Sequence, residues 1–166
     1  MLPFYSEKQK MPWFLTLAVL SGSLIFAGVI LFLWLGSDVE SRLIWLLWGV
    51  WLVMTLIDFL LASVKLVTEV HADGIKVYFG PFHFPRKHID WQEIENIYPR
   101  LYSPVADYGG WGIRYGKSGG TYNMRGSQGI QLELKNGKKF LIGTQQSEAF
   151  IQAVSAADMG KLCPDS

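Results

Sequence analysis

The distribution of apolar side chains changes character near residue 65. Before it, the stretches 12–35 and 43–64 are almost wholly apolar, and the first has 24 residues without a charge. A helix of that length extends roughly 36 Å, which exceeds the ~30 Å hydrocarbon core of a bilayer. The pattern predicts two transmembrane helices joined by the loop 36–42, and therefore an antiparallel hairpin that anchors the chain in a lipid bilayer.

After Lys65 apolar and polar residues alternate, as in Ile75-Val77-Phe79 and Ile130-Leu132-Leu134. This period of two is typical of half-buried antiparallel strands, and Asn136-Gly137 is a strong hairpin signal. The pattern predicts seven strands, near 65–71, 75–79, 82–88, 95–102, 111–116, 129–135 and 138–144. A helix is expected to begin at Ser147, whose hydroxyl can cap the first turn, and to end near Ala157.

Four runs in this half suggest a family: Glu69–Ile75, Ile89–Ile94, Gly129–Leu134 and Lys139–Thr144. Together they resemble bacterial membrane-anchored pleckstrin-homology-like domains over residues 65–157. The resemblance implies a bent seven-stranded β-sandwich closed at one end by the C-terminal helix, and a binding module rather than an enzyme. We therefore expect a membrane α plus α+β protein with three parts: an N-terminal tail and hairpin over 1–64, a pleckstrin-homology-like domain over 65–160, and a C-terminal tail over 161–166.

Composition narrows the classes of partner and cofactor. Half of the residues are apolar, 17% are charged and the net charge is +1, which argues against a nucleic-acid-binding protein. Cys163 is the single cysteine, so no internal disulfide forms, and it has no ligand partner at metal-site spacing. Since neither span contains a histidine, the usual axial ligand of haem is missing. We expect no cofactor and no metal.

Positive charges near the spans predict the orientation. Cytoplasmic flanks carry an excess of lysine and arginine. Lysines stand outside both spans, whereas the loop between them carries mixed charge: Lys8, Lys10 and Lys65 against Arg42, Asp38 and Glu40. We expect a multi-pass protein of the cell's inner membrane, with the N-terminus and the β domain in the cytoplasm.

Asp58 is the one charged residue within the spans. A carboxylate in a bilayer is disfavoured by a few kcal/mol, so its presence needs a reason. The simplest interpretation is that it reaches the interface or pairs with Lys65, seven residues on and on the same helical face. The alternatives are a contact with a partner or a path for protons or ions.

Arg86-Lys87-His88 is the densest basic run, and Arg86 and Lys87 are candidates for contact with anionic lipid headgroups. The simpler interpretation is a solvated strand end. Phosphoinositide-binding relatives carry a basic cluster around the first hairpin loop, where this chain has Ala72-Asp73-Gly74. Specific phosphoinositide binding is therefore not expected.

The stretch from Gly109 to Gly129 holds eight glycines. Aromatic and basic residues stand among them: Trp111, Arg114, Tyr115, Tyr122 and Arg125. One interpretation is a connector whose aromatic rings cover its own backbone. A second is a site for a protein partner through exposed Trp111 or Tyr115, together with Arg114 and Arg125, because aromatic residues and arginine dominate interface hot spots. A third is a site for a small molecule.

No catalytic motif occurs, so we expect no enzymatic activity. The sequence predicts a non-enzymatic membrane scaffold or accessory subunit whose cytoplasmic domain binds a protein partner. That partner is another membrane protein or a second copy of the chain. Two alternatives stay open: a module that senses anionic lipid, and a component of a transporter or membrane enzyme that uses Asp58.

Overall fold

A computed structural model of the chain describes residues 3–36, 39–81, 86–116 and 119–157. The chain forms two compact units, a hairpin unit over Met11–Val64 and a β domain built from Met1–Lys10 and Lys65–Ser166. The predicted tail over 161–166, with Cys163, lies outside the described residues. So do residues 82–85 of the predicted strand 82–88 and residues 37 and 38 of the predicted loop.

The hairpin unit contains the two predicted helices, α1 over Trp13–Gly36 and α2 over Ser41–Ser63. Both are long and apolar enough to cross a membrane, and only 6% of each apolar window is buried. A core helix of a soluble protein would bury most of such a surface. The helices therefore expose their apolar side chains almost all round.

Three hydroxyl and indole groups join α1 to α2. The Trp51 indole N–H donates to the Ser23 carbonyl oxygen at 3.0 Å, and the Ser23 and Thr55 hydroxyls lie 3.1 Å apart. The Thr55 hydroxyl also donates to the Trp51 carbonyl within its own helix at 2.8 Å. Ser23 lies near the middle of α1 and Thr55 in the second half of α2, as an antiparallel pair requires.

The β domain contains two sheets. The first has the order β1-β2-β3-β4 and is antiparallel throughout, with β1 over Tyr5–Lys10, β2 over Lys65–His71, β3 over Gly74–Gly80 and β4 over Arg86–Asp90. The hairpin unit is thus an insertion between two adjacent strands, whose inner ends pair at Lys10 and Lys65.

The second sheet has the order β5-β8-β9-β7-β6. Its strands are β5 over Ile94–Leu101, β6 over Gly112–Gly116, β7 over Gly119–Asn123, β8 over Gln128–Leu134 and β9 over Lys139–Gly143. All neighbours are antiparallel except β7 and β9, which are parallel. Among the described residues this half also has two α-helices, α3 over Pro104–Tyr108 and α4 over Ser147–Ala157, and a 3-10 turn over Trp91–Glu93 precedes β5.

The predicted count of seven strands is wrong, because the described residues contain nine. Strand β1 was assigned to an N-terminal tail, and β7 fell within the glycine-rich stretch. Polar Glu7 and Gln9 point inward from β1, so its alternation carries no hydrophobic signal. The predicted helix Ser147–Ala157 and the hairpin at Asn136-Gly137 are confirmed.

The core lies between the sheets and beneath α4. Phe150 of α4 is fully buried, and its ring meets that of Tyr5 edge-on at 5.4 Å. Phe79 of the first sheet contacts Tyr122 of the second at 5.7 Å between ring centroids. A smaller cluster of Tyr102, Tyr108 and Leu141 packs beside α3.

Candidate functional site

A cleft of about 640 Å³ lies in the β domain, where the β6–β7 hairpin meets the turn between β8 and β9. Its lining residues come from five strands and that turn: Lys87, Tyr115, Gly116, Gly119, Gly120, Tyr122, Leu134, Gly137, Lys138, Lys139 and Phe140. Binding pockets for small molecules occupy roughly 300–1,000 Å³. The cleft is therefore large enough to hold a ligand or several side chains of a partner.

The cleft has an apolar, aromatic floor. Tyr122, Leu134 and Phe140 are all buried, and the rings of Tyr122 and Phe140 meet edge-on at 5.1 Å. Burial raises the pKa of the Tyr122 hydroxyl above its ordinary value, so this ring stays neutral at physiological pH. An apolar group entering the cleft would meet uncharged aromatic surface.

Glycines form one wall because side chains would not fit there. Gly119 has a φ of +95°, and a Cβ on it would overlap the Lys139 carbonyl oxygen. A Cβ on Gly120 would lie 3.3 Å from the rings of both Tyr115 and Phe140. The glycine-rich stretch thus contains a close-packed β-hairpin, rather than only the connector that one interpretation of the sequence proposed.

The lysines at the cleft differ in their partners. Lys139 Nζ lies 2.6 Å from Glu133 Oε1, and Asn96 and Tyr98 also donate to that carboxyl group. The Lys139 hydrogen bond holds the pKa of Glu133 below its ordinary value, and Glu133 raises the pKa of Lys139. Lys87 and Lys138 are exposed and make no side-chain ion pair within the described ranges. The rim therefore carries uncompensated positive charge.

Two residues predicted for different roles meet at this cleft. Lys87 was a candidate for lipid contact and Tyr115 for partner contact, and Tyr115 is 86% exposed. Arg86, the other lipid candidate, does not line the cleft. Successive side chains of a strand point to opposite faces, so Arg86 and Lys87 do not form one basic surface.

The remaining residues of the glycine-rich stretch lie elsewhere. Trp111 is half-buried, and its indole N–H is buried without a hydrogen-bond partner in the described part of the chain. Contact of Trp111 with a partner stays a prediction. Arg114 is exposed and donates from Nε to the Trp111 carbonyl at 3.2 Å. Arg125 is exposed beyond the end of β7, where its carbonyl accepts a hydrogen bond from Gln145. None of the three lines the cleft.

Asp58 lies in the hairpin unit on the side of α2 that meets α1. It is half-buried and lines a space of about 20 Å³ together with Met11, which precedes α1, and with residues of both helices: Thr16, Val19, Leu20, Leu61 and Ala62. Within the described part of this unit its carboxyl group makes no hydrogen bond or ion pair. Its pairing with Lys65 stays a prediction.

A buried polar cluster around Glu7 was not predicted. Glu7 Oε2 accepts from the Tyr5 hydroxyl at 2.8 Å and from the Thr144 hydroxyl at 2.6 Å, and Oε1 accepts from the Gln145 backbone at 2.9 Å. Burial raises the pKa of Tyr5 far above its ordinary value, so its hydroxyl stays a donor. The cluster fastens β1 to the chain that leads into α4. No sequence signal marks this cluster, because Glu7 and Gln9 alternate with residues that are equally polar, Ser6, Lys8 and Lys10.

Among the described residues, no group of three or more His, Cys, Asp or Glu side chains is placed to hold a metal ion. Comparison of the chain with protein-family models, curated proteins and solved structures finds no match.

Proposed function

We propose that this chain is a membrane-anchored, non-enzymatic adaptor or accessory subunit whose β domain binds a protein partner. The first support is the exposed apolar surface of α1 and α2, which needs an apolar medium around it. Leaving this surface in water instead would cost about 25 cal/mol of transfer free energy per Å² of apolar surface. A lipid bilayer is the medium that suits two helices of this length.

The register of the first sheet supports a double crossing with both ends on one side. Lys10 and Lys65 are paired neighbours, so the chain leaves the β domain and returns to it at one place. With Lys8 they form a small group of lysines at the hairpin's outer ends. By the positive-inside tendency these lysines support our proposal that the β domain is cytoplasmic and that the membrane is the inner membrane of the cell.

The arrangement of strands also supports a pleckstrin-homology-like assignment. Strands β1–β4 form one antiparallel sheet, and β5, β8 and β9 form part of the second, with α4 following them. These seven strands and one helix match the number that the family resemblance implies. In this assignment the β6–β7 hairpin is an addition, and it supplies one wall of the cleft.

The observation that carries the proposal is the exposure of β6. Among the described strands β6 has one neighbour, β7, and lies at the edge of its sheet. Ile113 is 37% and Tyr115 86% exposed on it. An exposed tyrosine beside a cleft with unpaired lysines is the kind of anchor that protein interfaces use.

Photo-crosslinking in cells tests this proposal. Benzoylphenylalanine would replace Tyr115 in the full-length protein, and Leu101, which is 74% exposed on β5, would carry it in the control. We expect a discrete protein adduct from position 115 and none from position 101. If position 115 yields no protein adduct, or the same adducts as position 101, the adaptor proposal is wrong.

A further inference from the structure

We infer that the cleft and β6 together bind an extended acidic segment of the partner, which joins the second sheet as an added strand next to β6. This inference rests on the proposed function, and it names the chemistry of the partner. It follows from three features of the β domain: one unprotected sheet edge, two unpaired lysines and an aromatic floor.

The first feature is the difference between β6 and the other edge strands. Edge strands are protected from further pairing by inward-pointing charges or by proline. Among the described strands, β1 turns Glu7 and Gln9 inward, and β5 carries Pro99. On β4, Lys87 lies opposite the buried Val77, so its side chain shares the inner face.

Strand β6 has neither an inward-pointing charge nor a proline, and α3 packs on Gly116, whose Cβ position faces away from the side of Tyr115. Its sequence is Gly-Ile-Arg-Tyr-Gly, without a proline, and its one charged residue is Arg114. Ile113 and Tyr115 are two residues apart, so they share the face that Tyr115 turns toward the cleft. A new strand about 4.8 Å beyond β6 would place alternate side chains over the same face.

The second feature determines the charge of the added strand. Lys139 already forms an ion pair with Glu133, whereas Lys87 and Lys138 at the rim have no carboxylate partner within the described residues. A segment with carboxylates would supply the missing partners. A segment with lysine or arginine would be repelled there.

The third feature requires an apolar side chain between the acidic ones. Tyr122, Leu134 and Phe140 form a floor with no charged group. In an extended segment, residues two apart point the same way. The segment that fits therefore has the pattern acidic, any, bulky apolar, any, acidic, with the apolar residue packed against Tyr115, the β6 side chain that borders this floor, and the carboxylates near the rim.

A labelled peptide of that pattern tests the inference. The probe is fluorescein-Ser-Glu-Thr-Phe-Thr-Glu-Ser, added to the full-length protein in phosphatidylcholine nanodiscs, with binding followed by fluorescence anisotropy. Exposed ion pairs contribute at most about 1 kcal/mol each. We therefore expect Lys87→Ala and Lys138→Ala to weaken binding by about three- to fivefold each, and the double variant by about tenfold or more.

Neighbouring cations provide matched controls. Arg86 precedes Lys87 on β4, and Lys135 belongs to the same turn as Lys138, but neither lines the cleft. Arg86→Ala and Lys135→Ala should change affinity by less than about twofold. A peptide with lysine in place of glutamate should bind at least tenfold more weakly, and so should one with proline in place of both threonines, since it lacks two backbone donors.

Three outcomes would overturn the inference: no binding of the acidic peptide, equal binding by the double lysine variant, or equal binding of the proline peptide. If, in the second case, the double variant also loses contact with phosphatidylglycerol nanodiscs, the lysines bind lipid instead. In each case a protein adduct from position 115 would leave the adaptor proposal standing. Conversely, peptide binding without any such adduct in cells would overturn the adaptor proposal.

Discussion

The hairpin unit and the β domain are both rich in apolar residues, but they place them oppositely. In the hairpin unit Phe32 is 73% and Trp45 74% exposed, whereas Ile89, Ile130 and Phe150 of the β domain are fully buried. The β domain therefore provides its own apolar environment, and the hairpin unit depends on one outside itself. Hydropathy alone predicts that these side chains must be removed from water. The period of the apolar residues predicts whether other parts of the chain or the surrounding medium cover them.

Polar groups show the same contrast. In the hairpin unit hydroxyls bond mainly to carbonyls three or four residues back, as Ser21 does to Ala18 and Ser63 to Phe59. In the β domain, buried Glu7 bonds to groups more than 130 residues away. Stability in the β domain thus depends on specific long-range polar contacts, which the hairpin unit largely does without.

The largest test of this contrast compares two phenylalanines. Phe150→Ala should lower the free energy of unfolding of the β domain by about 3–5 kcal/mol, because it leaves a cavity under α4. Phe32→Ala should change the stability of the β domain by less than about 0.5 kcal/mol. Pulse proteolysis of full-length protein in nanodiscs measures both. If the two substitutions lowered the free energy of unfolding equally, Phe150 would not owe its larger effect to burial in the β domain, and the contrast would be wrong.

A second test compares two leucines of matched exposure, Leu24 of α1 at 71% and Leu101 of β5 at 74%. Lysine near the centre of a membrane-spanning helix costs about 2.5–3.5 kcal/mol on insertion scales. Leu24→Lys should therefore reduce the fraction of protein that resists carbonate extraction. Leu101→Lys should leave it unchanged. If Leu24→Lys also had no effect, the proposed bilayer location would be wrong.

The same contrast explains how much could be predicted from the sequence. Uniformly apolar helices and alternating strands such as β8 were visible because each pattern is local. Strand β1 was missed for two reasons. Its buried residues are polar, and its partner β2 begins at Lys65, 55 positions after β1 ends at Lys10. Lys87 and Tyr115 were each identified, but only the pairing of sheets brings them to one cleft, together with Lys138, which nothing local distinguished.

A third test removes one hydroxyl from the buried polar cluster of the β domain. Thr144 is fully buried, donates to Glu7 at 2.6 Å and accepts from the Gln146 backbone at 3.0 Å. Thr144→Val keeps the volume but leaves both partners short of a bond. Because buried hydrogen bonds to a carboxyl group contribute about 1.5–3 kcal/mol, we expect a loss of that size in the proteolysis assay.

The control for Thr144→Val is a double variant with Glu7→Gln. If the hydroxyl and carboxyl groups act as one cluster, the two losses should be less than additive. Full additivity would mean that Thr144 acts independently of Glu7. It would also remove the argument that this cluster fastens β1 to the chain before α4.

The smallest effect is expected for the corresponding threonine of the hairpin unit. Thr55 lies 3.1 Å from the Ser23 hydroxyl and also donates to the Trp51 carbonyl of its own helix. Hydrogen bonds between membrane helices contribute about 0.6 kcal/mol on average, since the separated helices find other partners for the same groups. Thr55→Val should therefore shift the separation of α1 and α2 in a dodecyl sulfate titration only slightly, and Ser23→Ala should add little to it. A loss of stability as large as that of Thr144→Val would show that the hairpin unit depends on polar contacts as much as the β domain does. The contrast between the two units would then be wrong.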